Sequence, residues 1–98
     1  MMPTKAEYIL DHGKSLWLGN INGFNGSAWL AKYKGKLYYI EDDGTGNGYY
    51  GGGKCIEVDK IEAFKRACRF NNYKAVLNEL KEFGVELSQE DVEKALGI

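Results

Sequence analysis

The sequence predicts an α+β fold in a single domain over residues 1–98: a three- or four-stranded antiparallel meander in the N-terminal half, packed against two or three C-terminal helices. Three observations lead there. The first half carries β-rich runs joined by connections too short for parallel crossovers. The apolar period then changes from two to about 3.6 residues after residue 59. Helix-capping residues punctuate the second half at regular intervals.

The N-terminal segment fits two elements. Thr4-Lys-Ala-Glu7 has the form of a capping box and would open a short helix ending at Gly13. Glu7-Tyr-Ile-Leu10, followed by turn residues 11–14, also fits a fourth strand, and the strand is the preferred reading. The next run, Ser15-Leu-Trp-Leu-Gly-Asn-Ile21, is bounded by turn-forming residues on both sides. Ser27-Ala-Trp-Leu-Ala-Lys-Tyr33 follows, and Lys34-Gly35 makes a tight connection to Lys36-Leu-Tyr-Tyr-Ile-Glu41. Alternation places Trp29, Ala31 and Tyr33 on one face and Ala28, Leu30 and Lys32 on the other. Both faces carry apolar area, so one takes helices and the other is expected to be partly exposed.

After a glycine-rich stretch, Lys54-Cys-Ile-Glu-Val58 alternates as a strand. Asp59 and Glu62 resemble a capping box, and Ile61, Phe64, Ala67 and Cys68 form a helical stripe. A second helix is expected from about Asn72 to Phe83, with Val76, Leu77, Leu80 and Phe83 inward and Gly84 as its C-cap. Ser88 and Asp91 open a third, with Val92, Ala95 and Leu96 inward and Gly97 at its end.

Composition narrows the function classes. Thirteen basic and 14 acidic side chains give a net charge of -1, which disfavours binding to nucleic acid driven by counterion release. No run approaches the roughly 18 apolar residues of a membrane-spanning helix, and MMPTKAEYIL lacks the pattern of a secretory signal. A cytoplasmic protein with reduced thiols at Cys55 and Cys68 is expected. Charge is nonetheless uneven: the first C-terminal helix is basic, with Lys65, Arg66 and Arg69 spaced to form one outward patch, and the last two are acidic.

The stretch EDDGTGNGYYGGGKC, residues 41–55, invites three chemical readings and fails each. Gly48 to Lys54 matches G-x-x-x-x-G-K, but Cys55 stands where a phosphate loop has a hydroxyl for magnesium, and a strand follows where a helix should begin. With Asp43 at the first position of a calcium loop, the twelfth is Lys54 instead of a bidentate glutamate. Gly44-Thr-Gly46 begins a dinucleotide pattern, but Tyr49 takes the third glycine's place. The stretch is best read as a loop that presents Tyr49 and Tyr50, side chains suited to a binding surface.

No metal or other cofactor is expected. One histidine and two cysteines cannot supply the four ligands of a structural zinc. His12 belongs most simply to a turn, the alternative being a base for Cys55 or Cys68 in a cysteine-dependent enzyme. The aromatic side chains are more telling: most are expected to pack in the core, while the bias to tyrosine, mixed with Lys32, Lys34 and Lys36, leaves one sheet face as a candidate contact surface, since such surfaces are enriched in Trp, Tyr and Arg. The leading expectation is a small non-enzymatic regulator or inhibitor of a larger macromolecule, of the kind phage and mobile elements encode. Its partner is a protein, contacted through Trp29, Tyr33, Tyr39, Tyr49 and Tyr50 with Lys65, Arg66 and Arg69; a homodimer is compatible. The alternative is a phosphate or nucleotide binder that uses Gly52, Gly53 and Lys54.

Overall fold

In the computed structural model, residues 2–21, 26–42 and 54–98 are described; residues 22–25 and the glycine-rich stretch 43–53, with Tyr49, Tyr50, Gly52 and Gly53, lie outside them. The fold is α+β, with a four-stranded antiparallel sheet in the order β1-β2-β3-β4 and four helices among the described residues. The chain forms two compact units, Met1–Glu57 and Val58–Ile98.

The first unit opens with a helix, α1 (Lys5–His12), where a strand was the preferred reading. Thr4 and Glu7 close the capping box reciprocally: Thr4 Oγ1 accepts from the Glu7 N–H at 3.1 Å, and Glu7 Oε1 accepts from the Thr4 N–H at 3.3 Å. Ala6 and Ile9, one turn apart, are buried against the sheet. The apolar run Tyr8-Ile-Leu10 suits either period over so short a span, and the cap and this docking settle it as helix.

The strands β1 (Lys14–Ile21), β2 (Gly26–Tyr33) and β3 (Lys36–Asp42) form the expected meander. Trp17 pairs with Trp29, Leu16 with Leu30 and Gly19 with Ala28, so a bulge falls between Trp17 and Gly19. Across the next ladder Trp29 pairs with Ile40, Leu30 with Tyr39 and Ala31 with Tyr38. The predicted faces follow from this register. Trp29, Ala31, Tyr38 and Ile40 share the side onto which α1 packs, while Ala28, Leu30 and Tyr39 are buried on the other. The last strand, β4 (Lys54–Val58), follows the undescribed glycine stretch. Two ion pairs tie its rim to β3, Lys36 to Glu57 at 3.7 Å and Lys54 to Glu41 at 3.9 Å. With both lysines exposed, each pair contributes at most about 1 kcal/mol.

The join between α1 and β1 is sterically tight. A Cβ on Gly13 would lie 2.5 Å from the Lys32 carbonyl oxygen and 2.9 Å from that of Ile9. Both obstacles are backbone, so neither can rotate away. Gly13→Ala is expected to lower stability by roughly 1–3 kcal/mol, the usual cost of forcing extra volume into a packed site, as chemical denaturation would measure.

In the second unit each helix starts where its cap predicts. Asp59 accepts from the Glu62 N–H at 2.8 Å to begin α2 (Lys60–Ala67). Asn72 accepts from the Ala75 N–H at 2.9 Å to begin α3 (Tyr73–Phe83). Ser88 and Asp91 form a complete capping box for α4 (Gln89–Leu96). Gly84, at φ 93°, lets the Val85 N–H reach back to the Leu80 carbonyl, the hydrogen-bond pattern of a Schellman stop. Ala63, Phe64 and Ala67 of α2 and Val76, Leu80 and Phe83 of α3 are buried. The α4 expectation needs correction: this helix buries no residue fully, and Leu96 is 58 % exposed, facing out instead of in. What anchors α4 is partly polar. Lys60 of α2 reaches Asp91 at 3.0 Å, and the Ser88 N–H together with Lys60 holds the Asp91 carboxyl below its ordinary range. A depressed folded-state value means that this contribution is present at neutral pH and is lost as pH falls through that value.

Candidate functional site

The described residues place a cleft of about 330 Å³ beside α1, lined by Pro3, Lys5, Tyr8, Ile9, Tyr33 and Tyr38 among others. Its walls are assembled from the capped N-terminus, one face of α1 and the neighbouring positions of β2 and β3. Three tyrosine rings dominate it. Tyr38 is buried beneath α1, Tyr33 is half-buried, and Tyr8 is 45 % exposed.

Tyr8 is held on two sides. His12, one turn along the helix, stacks on it at 4.1 Å between ring centroids with an interplanar angle of 18°. The His12 Nδ1–H also donates to the Tyr8 carbonyl at 3.0 Å, so the imidazole is fixed by the helix that it serves. From the sheet side Tyr33 meets Tyr8 edge-on at 6.1 Å and 81°. Stacked and edge-to-face pairs each add about 0.5–1.5 kcal/mol beyond area burial. The rings thus form a preorganised wall, which lowers the entropic cost of docking against it.

Two ammonium groups border these rings. Lys5 Nζ lies 5.2 Å from the Tyr38 ring centroid, and Lys34 Nζ lies 5.5 Å from that of Tyr33. Both lysines are exposed. The cleft is therefore an aromatic recess with Lys5 in its lining and Lys34 over one of its rings.

The expected contact residues are dispersed over the described structure. Tyr33 lies in the cleft. Trp29 is half-buried on the same sheet face, packed with the residues beneath α1. Tyr39 is corrected from contact residue to core: it is 1 % exposed on the opposite face, and its hydroxyl donates to Glu41. The basic patch on α2 is also smaller than the spacing suggests. Arg66 turns back to Glu62 at 2.7 Å, and α2 ends at Ala67, so Arg69 falls in the turn beyond the helix and Lys65 is the exposed member of the patch that the helix carries. Lys54 faces Glu41, a carboxylate that would repel a phosphate placed beside the lysine.

The two thiols are free, and burial raises both above their ordinary value; for Cys55 the charge of Lys5 offsets this in part. A raised value favours the thiol over the nucleophilic thiolate. Alkylation by iodoacetamide at neutral pH is expected to be slower at both cysteines than at free cysteine. A rate above that of free cysteine at either position would reinstate a reactive thiol.

Lys5, Tyr8 and Tyr38 are the site residues that sequence reasoning missed. The signal for the first two was the Thr4–Glu7 capping box, which, read as a helix, puts Lys5, Tyr8, Ile9 and His12 within two turns. Comparison with protein-family models, curated proteins and solved structures returns no match for this chain.

Proposed function

We propose that this is a non-enzymatic binding protein, a regulator or inhibitor that acts by docking a segment of a larger protein in the tyrosine cleft beside α1. The observation that carries this reading is the fixed Tyr8 ring, half-exposed between His12 and Tyr33. Tyrosine on a rigid element offers a large amphipathic contact with little entropy left to lose, and such residues supply much of the energy at protein interfaces. The rest of the cleft supports the same use, with an apolar floor at Ile9 and a polar border.

Selection of a displayed random-peptide library against the intact protein tests the reading. The expected result is enrichment of a peptide family whose affinity falls by about tenfold or more in Tyr8→Ala, as truncation of an interface anchor does. Alanine is a better helix former than tyrosine, so the variant keeps α1. Failure to enrich any peptide, or enriched peptides that bind Tyr8→Ala as tightly as wild type, would remove the cleft from this role.

A further inference from the structure

The hairpin between β2 and β3 turns on Lys34 and Gly35, both at positive φ, 50° and 77°. Two consecutive positive values are the signature of a type I′ turn, for which Asn-Gly is the favoured pair. Glycine meets the requirement at the second position. Lys34 does not, because a side chain with a Cβ in the left-handed region is strained, and lysine lacks the local hydrogen bonds that ease asparagine into it. It is the one non-glycine residue at positive φ among those described. A residue held in an unfavourable conformation points to a use for its side chain. Here that side chain ends over the ring of Tyr33, one of the residues that line the cleft.

The second cation, Lys5, arrives from the first turn of α1, where a positive charge opposes the helix dipole. It too stands over a tyrosine, Tyr38. Neither lysine forms an ion pair among the described residues. Glu7, the carboxylate nearest in sequence to Tyr8, is occupied with the N–H and hydroxyl of Thr4. Two locally unfavourable lysines, neither in an ion pair among the described residues, therefore stand over two rings of one aromatic recess, Lys5 as part of its lining and Lys34 beside Tyr33.

Building on the protein-binding reading above, we infer that the occupant of the cleft is an acidic segment of the partner. One apolar or aromatic side chain sits among Tyr8, Tyr33 and Tyr38, and carboxylates flanking it meet Lys5 and Lys34. Charge complementarity selects this segment over a neutral or basic one. A nucleic acid is the poorer match, because the chain carries no net positive charge and two lysines displace few counterions.

The same library selection decides it through a different readout, the composition of what is enriched. Aspartate or glutamate within about one helical turn or strand repeat of an apolar anchor is expected. The best peptide, made synthetically, should bind Lys34→Asn and Lys5→Gln about two- to fivefold more weakly than wild type, the range of single exposed ion pairs. Lys34→Arg should retain affinity. Lys34→Asn should also melt a few degrees higher, because asparagine relieves the turn, so its weaker binding cannot be ascribed to misfolding. Enriched peptides without acidic residues, or unchanged affinity in both lysine variants, would overturn the acidic-segment inference while leaving the cleft a protein-binding site. No enrichment, with binding instead of a single-stranded oligonucleotide that depends on Tyr8, would overturn both.

Discussion

Ile9→Ala is expected to lower the unfolding free energy by about 2–5 kcal/mol, the range for truncating a buried isoleucine. Ile9 is 3 % exposed and packs with Ala6, Ala31, Tyr38 and Ile40 under α1. The loss would come from the transfer of the deleted methyl and methylene groups and from the cavity left behind. It would not come from helix propensity, because alanine is the best helix former. Urea denaturation followed by circular dichroism gives the value. A change below about 1 kcal/mol would mean that Ile9 lies at the surface, and would undo the docking of α1 on which the cleft depends.

Leu80→Ala carries an expected loss of the same size, about 2–5 kcal/mol, in the second unit. Leu80 is fully buried, in the helix that also buries Val76 and Phe83. Its carbonyl also accepts the Val85 N–H of the Schellman stop, and Val85 is itself buried. Alanine keeps the backbone bond and removes only the packing. For a chain of this size each kcal/mol moves the melting temperature by roughly 4–8 °C. Differential scanning calorimetry should therefore show a fall of about 8 °C or more, and a fall of only a few degrees would contradict the buried placement.

How legible these features were in the sequence depended on whether local chemistry was sufficient. The second-unit helices begin at Asp59, Asn72 and Ser88 and the last two end at Gly84 and Gly97, because caps are short-range signals that later packing seldom overrides. The meander and the two faces of β2 followed from a two-residue turn and from alternation, whereas the bulge between Trp17 and Gly19 carried no such signal. The N-terminal helix was misjudged because eight residues sample barely two turns, too few for apolar period to separate helix from strand. What decides it is the closed Thr4–Glu7 capping box together with tertiary packing, Ile9 on the helix's sheet-facing side and Gly13 pressed against the Lys32 carbonyl. Leu96 was misplaced for a related reason, since helical spacing names a face but not whether anything covers it.

The site shows the same division. Tyr33 was legible as a sheet aromatic beside lysines. Tyr39 belonged to the same pattern, yet alternation sends it to the other face, where it is buried. Lys5 and Tyr8 became site residues only when α1 was placed over β2 and β3. The strain at Lys34 was foreshadowed by a Lys-Gly pair in a two-residue turn, but it needed the backbone angle to become an argument.

The central claim is that the recess between α1 and the β2-β3 hairpin receives a protein segment. Its most direct test is a nuclear magnetic resonance titration of the isotope-labelled protein with the enriched peptide. The ring resonances of Tyr8, Tyr33 and Tyr38 and the amides of residues 4–9 and 33–35 should shift together, saturating at one peptide per chain. Shifts confined to residues 58–98, with those rings unmoved, would contradict it.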